Sequence, residues 1–195
     1  MTSKESDLYG LVLAGGQGSR MGTDKGDLSY HGIPQREYML NLLSEFCSQV
    51  FTSCSRDADS KKHKNPIVDK YDFDSPLNGI LSAMETHSQK AWLSVAVDMP
   101  LVDAEALRYL VSNRDATRFA TCFYDSTGIV PEPMLTIWEP KCLEPMLEMV
   151  KARKWSPRDL LTQVGAKMLL APDRKVLMNV NDRASYMEAL KMIKK

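Results

Sequence analysis

The sequence has little of what metal centres and nucleophilic active sites are usually built from. Its 195 residues include only four cysteines and three histidines, and the histidines lie far from the cysteines along the chain. The cysteines are Cys47, Cys54, Cys122 and Cys142. None of them has the C-x-x-C spacing of a structural zinc site, and a disulfide or catalytic role is not indicated either. No Ser-His-Asp or Cys-His constellation is evident.

Charge of one sign is not in excess, and long apolar runs are absent. Lys plus Arg and Asp plus Glu each number 25, so no overall field favours a nucleic acid. The one dense basic cluster, at 61–64, has no aromatic residue within it and indicates a solvated loop. No apolar run approaches the roughly 20 residues that cross a bilayer, and the residues up to Asp7 lack the apolar core of a signal peptide. We therefore expect a cytoplasmic protein with no membrane or nucleic-acid partner.

The order of the secondary-structure signals predicts the fold class. A chain of 195 residues with 44% hydrophobic composition suits one domain, so we expect a single domain over residues 1–195. Strand and helix patterns alternate, which favours an α/β fold with an open, mostly parallel sheet and helices on both faces. The predicted strands are 8–13, 49–53, 66–68, 92–97, 119–124 and 134–138. The predicted helices are 34–47, 76–84, 103–111, 140–154, 157–163 and 182–193.

A glycine-rich loop follows the first predicted strand and is the most informative segment of the chain. It reads Leu13-Ala14-Gly15-Gly16-Gln17-Gly18-Ser19-Arg20-Met21-Gly22-Thr23-Asp24-Lys25. Its glycines let backbone N–H groups point at a polyphosphate, and Arg20 and Lys25 add positive charge. The spacing is neither that of a P-loop, because Lys25 precedes Gly26 rather than Ser or Thr, nor that of a dinucleotide fingerprint, because Met21 stands where its last glycine belongs.

A second candidate position is Asp98, which ends the predicted central strand. Ligands of open α/β sheets collect at the carboxyl ends of strands, where the glycine loop also begins. A carboxylate placed there suits Mg²⁺, whose remaining ligands are phosphate oxygens and water. Asp98 could instead cap the following helix, but Asp103 is better placed for that role.

The loop resembles L-A-G-G-x-G-x-R-M-G-x-D-K, the signature of the MobA-like nucleotidyltransferases, which make molybdopterin guanine dinucleotide from GTP and molybdopterin. Further segments follow in the order and rough spacing of that family: Asp69, 75–80, 97–100, 133–134, 156–158 and 179–181. Each segment is weakly specific, whereas the ordered set covers most of the chain. The resemblance implies the nucleotide-diphospho-sugar transferase, Rossmann-like fold.

The resemblance also implies a role for each matching residue. Catalytic roles fall on Arg20, Lys25 and Asp98, with Mg²⁺ on Asp98 and GTP as the nucleotide substrate. The implied nucleotide-binding residues are Leu13, Ala14, Gly15, Gly16, Gly18, Ser19, Lys25, Ser53, Asp69 and Asp98. The implied acceptor-binding residues are Arg158, Asn179 and Asn181, and Arg153 and Lys154 extend the basic stretch beside Arg158. Asn179 and Asn181, one residue apart on an apparent strand, are expected to share a face, although turn and cap chemistry accounts for them equally well.

Three departures from the family pattern concern the substrates. Ser53 stands where many members have an asparagine that helps to hold the nucleotide. Ser75 replaces the first glycine of Gly-Pro-Leu-x-Gly, and Pro131-Glu132-Pro133 replaces a short polar segment. The last two leave the acceptor less certain than the nucleotide.

The function we expect is transfer of GMP from GTP to the phosphate of molybdopterin, with release of pyrophosphate. Molybdopterin cytidylyltransferases usually have L-A-A-G, so Gly15 favours guanine. A sugar-1-phosphate nucleotidyltransferase and a non-catalytic nucleotide-binding regulator remain alternatives. The implied partners are the two small substrates and, transiently, other molybdenum cofactor biosynthesis proteins or apo-molybdoenzymes.

Overall fold

A computed structural model describes residues 5–14, 24–57 and 59–193. The strands in those ranges are β1 (Glu5–Leu13), β2 (Cys47–Cys54), β3 (Pro66–Val68), β4 (Ala91–Ala96), β5 (Ala120–Tyr124), β6 (Pro131–Trp138) and β7 (Lys167–Leu169). The α-helices are α1 (Gln35–Leu43), α2 (Pro76–Thr86), α3 (Ala104–Ser112), α4 (Leu143–Lys151), α5 (Pro157–Gln163) and α6 (Arg183–Ile193). None of the helices in this described part is both long and apolar enough to cross a membrane.

The seven strands form one sheet in the order β3-β2-β1-β4-β6-β5-β7. β1 pairs in parallel with both β2 and β4, whereas β6 runs antiparallel to β4 and β5. The chain proceeds from β1 to β2 and β3 on one side and resumes with β4 on the other, so the strand order reverses beside β1. Ligands of open α/β sheets bind at such a reversal, outside the carboxyl ends of the strands. The amino end of the antiparallel β6 lies at the same edge.

Helices cover both faces of the sheet, as the sequence pattern predicts. The crossovers β1-α1-β2 and β3-α2-β4 run in opposite directions across the sheet, and right-handed connections therefore place α1 and α2 on opposite faces. α2 also contacts α4, which contacts α5, and α5 packs on β6. The N-terminal ends of α2 and α5 therefore belong to one face of the molecule.

The core lies around β4, every residue of which is buried. A strand covered on both faces is expected to be a continuous run of buried residues rather than an alternating one. Its polar member, Ser94, lies opposite Thr136 in the β4–β6 register and accepts a hydrogen bond from Trp138 Nε1 at 3.0 Å. The central strand thus carries Asp98 on a rigid support.

Several predicted boundaries were wrong. The helix predicted to reach Cys47 ends at Leu43, because Cys47 already pairs with β1 in the sheet. The helix predicted over 140–154 is a 3₁₀ turn followed by α4, which ends at Lys151. β6 begins at Pro131 rather than Met134, and β7 has no counterpart among the predicted strands. Strand pairing within the sheet sets these boundaries, and the local sequence pattern does not predict that pairing.

The segment 179–181 is not the strand that the sequence suggested. The backbone N–H of Val180 donates to the carbonyl oxygen of Asp98 at 2.7 Å, outside any regular ladder. Leu177 ends a 3₁₀ turn and Arg183 begins α6, so the segment is an extended link between helical elements. It lies against the end of β4 all the same.

Candidate active site

Three side chains from distant parts of the chain meet at the carboxyl end of β4. Lys25 Nζ lies 3.2 Å from Asp98 Oδ2 and donates to Asn181 Oδ1 at 2.8 Å. The side chains of Lys25 and Asp98 are each 24% exposed, so this ion pair is partly shielded from water. The structure thereby places two predicted catalytic residues beside one predicted acceptor residue.

The turn that carries Lys25 is fixed by α1. Asp24 caps the 3₁₀ turn through its side chain, which accepts from the N–H of Gly26 at 2.8 Å. Arg36, on α1, pairs with Asp24 at 2.6 Å and with Asp27 at 3.0 Å. A Cβ at Gly26 would lie 2.5 Å from the guanidinium of Arg36. Glycine at position 26 therefore lets the guanidinium cover the turn and hold it.

Asn181 is brought to the site by a small apolar cluster outside the main core. Tyr30, Val180 and Ala189 are its buried members. The rings of Tyr30 and Tyr186 meet edge to face with centroids 5.0 Å apart, which ties α6 to the segment after Lys25. The charge of Asp98 and burial both raise the pKa of Tyr30, with burial the larger cause.

The two oxygens of Asp98 differ in their contacts. Oδ2 binds Lys25, whereas Oδ1 is buried and has no hydrogen-bond donor among the residues that the structure describes. A buried carboxylate oxygen left unpaired is costly and calls for an explanation by an ion or a ligand. Within the described ranges no three His, Cys, Asp or Glu side chains cluster as a metal site, so a cation here would take its other ligands from elsewhere.

A second group of predicted residues lies at the ends of β2 and β3. Ser53 Oγ donates to Asp69 Oδ1 at 3.4 Å, and burial raises the pKa of Asp69 to about 6. Gly79, in α2, packs against both side chains, because a Cβ there would lie 2.1 Å from Ser53 Oγ and 3.4 Å from Asp69 Oδ1. The serine, which is smaller than the usual asparagine, still reaches the aspartate.

Glu132 is a site residue that the sequence did not single out. It lies near the amino end of β6, at the edge of the sheet where β4 ends, and the charge of Asp98 acts on it. Glu132 is only 4% exposed and its Oε1 accepts the N–H of Met134 at 2.9 Å. Burial raises the pKa of Glu132; the charge of Asp98 adds to this effect, and Arg158 opposes it. The unusual Pro-Glu-Pro segment was the signal that could have revealed it.

The other predicted positions have mixed outcomes. Leu13 ends β1 with its side chain buried, and Ala14 follows it. Arg158 is exposed at the start of α5, within electrostatic range of Glu132. Asn179 does not join the Lys25 group, because its amide donates to Leu177 O at 3.4 Å. Outside the described residues lie Gly15, Gly16, Gly18, Ser19 and Arg20.

Comparison with known proteins identifies the family. The family model described as the MobA-like NTP transferase domain matches residues 10–168, which include the end of β1, Asp69 and Asp98. The chain belongs to this family. The matched range also includes Arg158, while Asn179 and Asn181 lie beyond it.

Two relatives are similar over much of the chain. The molybdenum cofactor biosynthesis bifunctional protein of Synechocystis sp. is 29% identical over 186 residues, 93% of this chain and 53% of that protein. The chain thus spans about half the length of this relative. The molybdenum cofactor guanylyltransferase of Pseudomonas entomophila is 31% identical over 142 residues, 71% of this chain and 73% of that protein.

A solved structure confirms the predicted fold class. The molybdopterin-guanine dinucleotide biosynthesis protein A from Archaeoglobus fulgidus superposes with a TM-score of 0.79 at 20% identity, covering 95% of this chain and 98% of that one. The fold is that of the nucleotide-diphospho-sugar transferases, as the resemblance implied.

Proposed function

We propose that this protein transfers GMP from GTP to the phosphate of molybdopterin and releases pyrophosphate. The observation that carries the proposal is the meeting of Lys25, Asp98 and Asn181 at the strand reversal. The relatives named as guanylyltransferases support the choice of reaction. The region that the glycine loop would complete adjoins this group, because Leu13 pairs with Ala96 two residues before Asp98.

The chemistry asks for charge neutralisation rather than for a side-chain nucleophile. An oxygen of the acceptor phosphate forms a bond to the α-phosphorus of GTP, the bond from that phosphorus to the bridging oxygen breaks, and pyrophosphate leaves with the electron pair. Both reactants are anions, so the chain must hold them close against their repulsion. The ammonium of Lys25 supplies positive charge at this point, and Asn181 fixes its direction by accepting its hydrogen bond.

The residues present fit a magnesium ion. Asp98 Oδ1 is a buried carboxylate oxygen with no hydrogen-bond donor from residues 5–14, 24–57 or 59–193. A carboxylate oxygen is the hard ligand that Mg²⁺ prefers, and phosphate oxygens and water would complete the coordination. When bound, the ion supplies further neutralisation of the phosphate charges. A site with one protein carboxylate agrees with the lack of a larger ligand cluster among the described residues.

The nucleotide end of the site is assigned to Ser53 and Asp69. At pH above about 6 Asp69 is ionised, and a desolvated carboxylate strongly accepts hydrogen bonds from N–H or O–H donors of a nucleotide. The acceptor end is assigned to Arg158 and Asn181, on the side of β6 and α6. Asp98 lies between the two ends, where the reacting phosphates must meet.

The test is pyrophosphate release by the full chain with molybdopterin as acceptor, in the presence of Mg²⁺. We expect turnover with GTP and little with CTP, ATP or UTP. A preference for CTP would show that the enzyme is a cytidylyltransferase instead. Turnover with a sugar 1-phosphate but not with molybdopterin would show that the acceptor is a sugar phosphate. Binding of GTP without any turnover would indicate a regulator.

A further inference from the structure

Trp155 is exposed, unlike the other two tryptophans. Trp92 and Trp138 are completely buried, whereas Trp155 keeps 41% of its surface in contact with solvent. It lies in the turn between α4 and α5. A tryptophan combines a large apolar ring with a polar N–H, and this residue type is enriched at binding interfaces.

The ring of Trp155 is held in a fixed orientation. It stacks on Phe73 with centroids 5.1 Å apart and an angle of 5° between the planes. Its backbone carbonyl accepts a hydrogen bond from Ser75 Oγ at 2.5 Å. Arg153, two residues before Trp155, has a left-handed φ of 54°, which turns the chain out of α4. One face of the indole is therefore occupied by Phe73, and the exposed surface belongs to the rest of the ring.

The position of Trp155 connects it to the active site on two sides. Three residues further on is Arg158, whose charge acts on Glu132, as the charge of Asp98 also does. On the other side Ser75 also caps α2, accepting from the N–H of Leu77 at 3.2 Å. α5 packs on β6, so Trp155 and Arg158 stand on the β6 side of Asp98. Ser53 and Asp69 stand on the β2 and β3 side.

We propose that the exposed surface of Trp155 stacks on the planar heterocycle of the acceptor, a pterin, while Arg158 binds the phosphate of the same molecule. This inference rests on the proposed function and extends it to the recognition of the acceptor. A pterin phosphate is a flat ring joined to an anion, which matches an aromatic face followed by a guanidinium. The nucleotide is assigned to Ser53 and Asp69, on the other side of Asp98.

Binding of neopterin, a pterin without phosphate, tests directly whether Trp155 stacks on a pterin. Only Trp155 is open to the quencher acrylamide, because the other two tryptophans are buried. We expect saturating neopterin to shield the tryptophan emission from acrylamide, and Trp155→Ala to weaken neopterin binding about tenfold, the usual effect of losing one stacked ring. Trp155→Phe should restore most of the affinity.

The matched control is Tyr109→Ala. Tyr109 is 39% exposed and stacks on Phe123 at 13°, but lies on α3; its loss should leave neopterin binding unchanged. In turnover, Trp155→Ala should raise KM for molybdopterin and leave KM for GTP unchanged.

Two results would overturn the inference: shielding of Trp155 by GTP but not by neopterin, or an unchanged acceptor KM in Trp155→Ala. Failure of the proposed function looks different. In that case the unmodified chain releases no pyrophosphate with GTP and molybdopterin, whatever neopterin does to Trp155.

Discussion

Asp98 uses its two carboxylate oxygens differently, and this division is the basis of its assigned role. Oδ2 pairs with Lys25, whereas Oδ1 is buried and unpaired within the described part of the chain. A purely structural carboxylate would be expected to have both oxygens satisfied by donors of the fold. A helix cap would also be bonded to backbone N–H groups, and that role belongs to Asp103, which accepts from the N–H of Ala106 at 2.8 Å.

Asp98→Asn keeps the size of the side chain and removes its charge. We expect kcat for pyrophosphate release to fall by about 100-fold or more, the usual loss when one group that stabilises developing charge is removed. Thermal unfolding should change little. The control is Glu148→Gln, which removes a carboxylate paired with Lys151 at 2.6 Å on the surface of α4. Retained turnover in Asp98→Asn would exclude a metal role for this residue.

Burial of Asp69 carries a cost in stability. Its folded-state pKa of about 6 exceeds the ordinary value of 3.8, so between these values the folded protein binds more protons than the unfolded chain. The free energy of unfolding therefore falls as pH rises from about 4 to about 6, and the cost is fully present above that window.

Asp69→Asn removes this cost. Because Asp69 is only partly buried, we expect a gain of about 1–2 kcal/mol in the free energy of unfolding above pH 6, vanishing near pH 4. The same variant should have a higher KM for GTP. Denaturant unfolding across pH measures the first effect and initial rates the second. A variant that is less stable than the parent at pH 7.5 contradicts the assignment.

At the scale of elements, α2 is a helix whose start follows directly from the local sequence. Ser75 caps the helix and Pro76 occupies its first turn. Proline has no backbone N–H, but the N–H groups of the first turn have no partner within the helix, so this position tolerates proline. The close packing of α2 depends on Gly79, the fourth residue of the helix, because that glycine lets the helix approach the ends of β2 and β3. A helix interior otherwise disfavours glycine by about 1 kcal/mol relative to alanine.

Gly79→Ala tests this close approach. The added Cβ would lie 2.1 Å from Ser53 Oγ and 3.0 Å from Ser53 Cβ, so overpacking of about 1–3 kcal/mol competes with the gain in helix propensity. We expect a lower melting temperature and weaker GTP binding. Adding Ser53→Gly should restore stability but not nucleotide affinity. If Gly79→Ala alone is more stable than the parent, the packing account is wrong.

For the whole molecule, nucleotide binding should be visible as stabilisation. A ligand at 100 times its dissociation constant adds about 2.7 kcal/mol to the free energy of unfolding, which is a shift of roughly 5–10 °C for a domain of this size. GTP with Mg²⁺ should produce this shift, CTP, ATP and UTP much less, and EDTA should reduce it. Differential scanning fluorimetry measures all of these, and an equal shift with every nucleotide would remove the case for guanine.

The meeting of Lys25 and Asp98 was predictable from the sequence. Each comes after a strand of the parallel part of the sheet, which brings the strand ends together as a matter of geometry. Residues 15–23 of the glycine loop lie outside the described structure, so their part in the site stays a prediction. Boundaries set by local chemistry were also predicted well: Pro66–Val68 and Pro157–Gln163 agree with the structure in full, and the start of α2 agrees too. Prolines and capping residues at these ends restrict the backbone directly, so the sequence indicates where the element begins.

What the amino-acid order determined by itself was the fold class, the family and the candidate chemistry, because periodicity and motif spacing are properties of the chain alone. The tertiary structure decided which groups actually meet. Asn181 reaches Lys25 whereas the amide of Asn179 bonds to Leu177, the charge of Asp98 acts on Glu132, and Trp155 stacks on Phe73, 82 positions away. Contacts between residues so distant in sequence depend on how strands pair and helices pack, and no local pattern encodes that arrangement.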